Sequence, residues 1–154
     1  MLSEKLLDLF KKYVELDTSL ESGENYLAAV QLIEGFIEPL GFKTNIIEIP
    51  VSVAGAKNRF NLIAEKFISN DHQTMIIYNH IDTVPADYLN AYKFEIMDGK
   101  VFGRGAADQK GGTIAVLSAL ENLVGKKLRF NLIFLLTTDE ENSQKEQLKF
   151  LSTK

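Results

Sequence analysis

The chain has 154 residues, 45% hydrophobic and 25% charged, with a formal net charge of −4 and no cysteine. That length can bury the core of one globular unit, while a pI near 5.2 and the lack of a dense basic stripe argue against a nucleic-acid partner. Disulfides and thiolate metal sites are excluded, no apolar run approaches the roughly 20 residues that cross a bilayer, the charges within "MLSEKLLDLFKKYVEL" speak against a signal peptide, and the absence of cysteine fits a reducing, cytoplasmic setting.

The predicted elements alternate. Residues 3–16 form a helix with Leu6, Leu9, Phe10, Tyr13 and Val14 on one face, and Ser3 suits its N-cap. Residues 23–41 form a second helix, its stripe Leu27, Val30, Ile33, Ile37 and Leu40, its end marked by Pro39 and Gly41. "KTNIIEIPV" and "RFNLIAEKF" are strands. "TMIIYNH", residues 74–80, is a short apolar strand of the kind found in a sheet covered on both faces. Residues 92–105 form a hairpin that turns at Asp98-Gly99. A helix over residues 109–125 and a second buried strand, "RFNLIFLLTT", follow, and the tail from Ser143 begins another helix. No linker or repeat divides the chain, so residues 1–154 are expected to be one α/β unit with a mixed, largely parallel sheet flanked by helices.

Three stretches carry chemistry. "NHIDTVPA" ends the apolar strand with His80 and Asp82. Residues two apart on a strand share a face, and ligands of open α/β sheets bind at the C-terminal strand ends. A carboxylate that accepts the imidazole N–H fixes its tautomer, as beside a metal-binding histidine. A histidine that merely hydrogen-bonds a neighbouring turn gives the same short pattern. "GRGAADQKGG" places four glycines, an arginine, Asp108 and a lysine before a helix. Glycines allow close backbone approach, and the coming helix favours negative charge at Asp108. The stretch is one residue off a dinucleotide fingerprint. That motif needs a buried strand before it and an acidic residue about 20 positions later, whereas a hairpin arm precedes this one. "TTDEEN" ends the second buried strand with Asp139, Glu140 and Glu141. Adjacent carboxylates repel unless cations or protons compensate. One can hold metal while its neighbour takes a proton from water.

Together these motifs resemble the zinc-dependent metallopeptidases and deacylases that include acetylornithine deacetylase, succinyl-diaminopimelate desuccinylase, aminoacylase and carboxypeptidase G. The resemblance runs from the first helix to Glu141. It implies two zinc ions, with cobalt or manganese as substitutes, and hydrolysis of amide bonds in N-acyl amino acids or small peptides. It implies that His80 is a ligand of one zinc, that Asp82 orients His80, that Asp108 bridges both metals, that Glu140 is the general base, and that Glu141 is a ligand of the other zinc. It also implies a cis peptide after Asp108. Asn79 stands where family members commonly carry glycine, and no glycine turn follows the glutamates. The family's further ligands, a carboxylate and a histidine, lie beyond the matching region, together with a lid or dimerisation domain. The chain is therefore expected to be a truncated catalytic domain, inactive by itself and inclined to self-associate as a homo-oligomer. His72, the other histidine, lies in a polar loop and is not expected to bind metal. A non-catalytic interaction module and a nucleotide-binding α/β protein are the alternatives.

Overall fold

The computed structural model of the chain describes residues 2–19, 22–49, 59–138 and 140–141. The predicted tail helix and Asp139 lie outside the described residues. Helix α1, Glu4–Glu15, starts where the Ser3 hydroxyl accepts the Leu6 N–H at 3.3 Å, and its five predicted core residues are the buried ones. Helix α2, Tyr26–Ile37, tightens into a 3-10 turn over Glu38–Leu40, which Gly41 ends at φ 84°. Val30, Ile33 and Ile37 are buried as expected, but Leu27 is 38% exposed. Tyr26, Ala29 and Phe36 complete the inner face instead, because at about 100° per residue they fall around Val30, Ile33 and Ile37, whereas Leu27 lies roughly 100° from the middle of that face.

The strands are β1 (Lys43–Ile49), β2 (Arg59–Lys66), β3 (Thr74–His80), β4 (Glu95–Met97), β5 (Lys100–Phe102) and β6 (Asn131–Thr137), with helix α3, Gly111–Glu121, before the last. One sheet has the order β1-β2-β6-β3, and β4 and β5 form a separate hairpin. The α/β class with a mixed, helix-flanked sheet stands, but the sheet is not largely parallel. The β1–β2 and β2–β6 pairs are antiparallel, and only β3 and β6 run parallel. Connection length explains the antiparallel β1–β2 pair, while the β2–β6 direction is set by tertiary packing. Nine residues join β1 to β2 and seven join β2 to β3, too few for the crossover of about a dozen or more that a parallel neighbour requires. The path from β3 to β6, through the hairpin and α3, is long enough.

Leu62 and Ala64 of β2 and Leu132, Phe134 and Leu136 of β6 share one buried cluster with α1, α2 and α3. All three helices thus pack on the same face. Strand β6 is central and buried, as predicted. Strand β3 is an edge strand, and Ile76 and Tyr78 on its outer face are 63% and 44% exposed. The expected cover on both faces is therefore absent among the described residues.

Candidate metal centre

Parallel pairing holds the ends of β3 and β6 level, with His80 opposite Thr137. Past His80, the Ile81 N–H still donates to the Thr137 carbonyl at 2.8 Å, and the following Asp82 is fully buried. Thr18 runs alongside: its hydroxyl donates to the Ile81 carbonyl at 2.6 Å. Past Thr137, Asn61 Oδ1 accepts the Thr138 N–H at 3.0 Å and its hydroxyl at 3.2 Å. This clamp fixes the strand end just before the two glutamates.

The loop ahead of α3 supplies the remaining carboxylate. The hairpin turns at Asp98 (φ 50°) and Gly99 (φ 72°), the pair of positive angles that its two-residue turn requires. The chain then passes through Gly103–Gly105 into a helical turn, Ala106–Lys110, from which Asp108 and Gln109 depart. The Asp108-Gln109 peptide is cis, as the resemblance implied. The Asn79 side chain donates to Gln109 Oε1, so the unusual residue before His80 holds the residue after Asp108.

His80 Nε2 lies 3.2 Å from Asp108 Oδ1 and 3.8 Å from Glu140 Oε2. His80, Asp108 and Glu141 each offer one donor atom, and the three atoms lie within 4.8 Å of one another. His80 is buried and Asp108 is 74% exposed, so the imidazole forms the floor and the carboxylates the open rim. His80 Nδ1 lies 3.1 Å from the main-chain carbonyl of Asp82 and 3.4 Å from its Oδ1. These partners assign a proton to Nδ1 and leave Nε2 as the ring atom that faces the rim, where a bound cation would replace its proton. Both acceptors belong to Asp82, the carbonyl at 3.1 Å and the carboxylate at 3.4 Å.

Burial alone would depress the His80 pKa; the Asp82 hydrogen bond and charge, with the charge of Glu140, override it and raise the imidazole to about 9. Burial raises the Glu141 carboxyl, and Asp108, Asp82 and Glu140 add to the rise against an opposing effect of His80. A bound cation removes the repulsion among these acids. One imidazole and two carboxylates are donors that zinc accepts. The donor set therefore fits the metal that the family resemblance implies.

His72 precedes β3 at the end opposite His80 and takes no part in the cluster. Sequence reasoning gave Lys110 and Asn61 no role. Lys110 is fully buried, and its Nζ donates to the Leu16 carbonyl at 2.7 Å, which ties the Asp108 turn to the end of α1. Its ring neighbours are Tyr13 and Tyr92. Burial lowers its pKa to about 7, with Asp17 opposing. A signal existed: Lys110, Ile114 and Leu117 fall at four- and three-residue spacing on the inner side of the helix.

The sequence pattern of peptidase family M20/M25/M40 matches residues 76–151. Succinyl-diaminopimelate desuccinylase from Rickettsia typhi is 32% identical over 93% of this chain and 40% of that protein. Acetylornithine deacetylase from Pasteurella multocida is 31% identical over 74% of this chain and 29% of that protein. The chain thus spans two fifths or less of the length of these curated relatives. Among solved structures, the dipeptidase Dug1p from Saccharomyces cerevisiae superposes with a TM-score of 0.80 at 15% identity, over 96% of this chain and 34% of that one. Human carnosine dipeptidase 1 gives 0.69 at 21% identity, over 90% of this chain and 32% of that one. These likenesses show the fold. No helix among the described residues is long and apolar enough to cross a membrane.

Proposed function

Because the chain belongs to peptidase family M20/M25/M40, we propose that it supplies part of a two-zinc centre that hydrolyses amide bonds of N-acyl amino acids or small peptides. The observation that carries this reading is the convergence of one donor atom each from His80, Asp108 and Glu141 within 4.8 Å, at the C-terminal ends of two neighbouring strands. His80 Nε2 and Glu141 would hold metal from those strand ends, one at each ion, and Asp108 would supply the remaining carboxylate from the loop ahead of α3. When bound, zinc lowers the pKa of water and polarises the scissile carbonyl.

The rest of the chemistry belongs to the chain. Asp82 fixes the His80 ring through its carbonyl and carboxylate, and so aims Nε2. Glu140 stays off the metal, close enough to His80 to reach the same space, and takes the proton of the attacking water as general base. The three ligands found among the described residues are fewer than two four-coordinate zinc ions require. The 154-residue chain by itself is therefore expected to bind zinc weakly and turn over little substrate.

Isothermal titration with zinc tests this reading. The expected result is weak binding by the chain and none by H80A. Unchanged affinity in H80A overturns the ligand assignment, and tight binding of two ions overturns the ligand count.

A further inference from the structure

We propose that Arg104 forms an anion subsite beside this centre and takes a carboxylate group carried by the amide substrate, an inference that rests on the hydrolase reading above. A cavity of about 300 Å³ opens next to the metal cluster, with Asp108 and Glu141 on one wall and Thr83, Tyr88 and Arg104 around the rest. Arg104 is the one cationic side chain among the described residues that line it. Its Nε is buried and has no hydrogen-bond partner among the described residues.

A buried guanidinium N–H without an acceptor costs free energy. The contrast with Lys110 is informative. Lys110, also enclosed, ends on the Leu16 carbonyl and is satisfied within the fold. Among the described residues, Arg104 Nε has no such acceptor. The two carboxylates of the cavity wall belong to the metal cluster, so its natural partner is an acceptor that arrives from outside. A carboxylate matches the planar fork of a guanidinium with two parallel hydrogen bonds.

The residue is also held firmly. Its main-chain N–H donates to the Ala91 carbonyl at 2.7 Å. Glycines flank it, and a side chain on either would collide: a β carbon would lie 2.5 Å from Val14 Cγ1 at Gly103 and 2.6 Å from Thr83 Cγ2 at Gly105. The Tyr88 ring centroid lies 5.8 Å from the guanidinium carbon, within range of a cation–π contact. The backbone is pinned where it meets the cavity wall, and an aromatic ring steadies the charge.

The test uses the 15N-labelled 154-residue chain, wild type and R104Q, titrated with N-acetyl-L-alanine and with its uncharged amide, with and without zinc. In the wild type the acid should bind about tenfold tighter than the amide, the scale of a hydrogen bond to a charged group, and R104Q should cut that ratio below about twofold. The Arg104 Nε–H resonance should move with the acid and stay still with the amide. Equal binding of acid and amide by the wild type, or an undiminished ratio in R104Q, overturns the proposal. If R104Q fails to fold, the Nε–H resonance of the wild type decides alone. The His80 ring resonances report zinc in the same samples. A zinc response without acid preference leaves the metal reading standing and removes the anion subsite; acid preference at Arg104 without a zinc response does the reverse.

Discussion

The carboxylate of Asp82 accepts the main-chain N–H of Glu141 at 2.9 Å, a bond between residues 59 apart in sequence. It joins the extension of β3 to the extension of β6. The same side chain lies beside the His80 ring, so one buried acid positions two proposed ligands. D82A should destabilise the chain by about 1.5–3 kcal/mol, as expected for a hydrogen bond to a charged group, and weaken zinc roughly 10–100-fold. Urea denaturation and zinc titration measure the two effects. A variant of normal stability and affinity would remove Asp82 from both roles.

The two glutamates should separate by experiment. E141Q is expected to lose zinc, because it withdraws a proposed ligand. E140Q is expected to keep it. In a longer form of the protein that hydrolyses N-acyl amino acids, E140Q should lower turnover by about 10²–10⁴-fold with metal content unchanged. Loss of zinc in E140Q would reverse the assignment.

Two buried groups give opposite pH dependences in the zinc-free chain. The His80 pKa is raised to about 9, above its ordinary value of about 6.5. Its contribution is fully present below about 6.5 and is lost as pH rises through about 9. The Lys110 pKa is lowered to about 7, so its cost, complete below about 7, is relieved as pH rises toward the ordinary lysine value of about 10.4. The two slopes oppose each other between pH 7 and 9. K110M should expose a fall in stability over that interval, and H80F a rise. Denaturation midpoints of each variant across pH check both signs.

Glycine substitutions should divide by environment. At Gly105, φ is 78° and a β carbon would lie 2.6 Å from Thr83 Cγ2, so G105A should cost about 1 kcal/mol or more. Gly35 lies within α2, where an added β carbon meets nothing within 4 Å. G35A should therefore stabilise the chain by about 0.4–1 kcal/mol, by restricting the unfolded state. Thermal melts of the pair provide the comparison.

Much of this structure could be read in advance because local rules agree with the fold. The α1 face, its Ser3 cap and the Asp98-Gly99 turn follow from spacing and from one or two residues each. His80, Asp108 and Glu141 were chosen from three separate motifs, and the fold brings their side chains together. What escaped depends on partners distant in sequence. The pairing direction of β2 with β6 is set by tertiary packing, and the edge position of β3 depends on where β6 inserts. The Thr138 contact of Asn61 spans 77 residues and the Leu16 contact of Lys110 spans 94, beyond the reach of any window of periodicity. The cavity at Arg104 arises only when the hairpin and both strand ends meet.

The level pairing of His80 with Thr137 has a practical consequence. Side-chain direction alternates along a strand, so a slip of one residue between β3 and β6 would turn His80 to the other face and shift it by about 3.3 Å. Zinc uptake therefore works as a gauge of sheet alignment. A sample with full secondary structure and misaligned strands would look folded by circular dichroism yet fail to take metal through His80, which makes the metal a quality check on refolded material that spectroscopy of the backbone cannot replace.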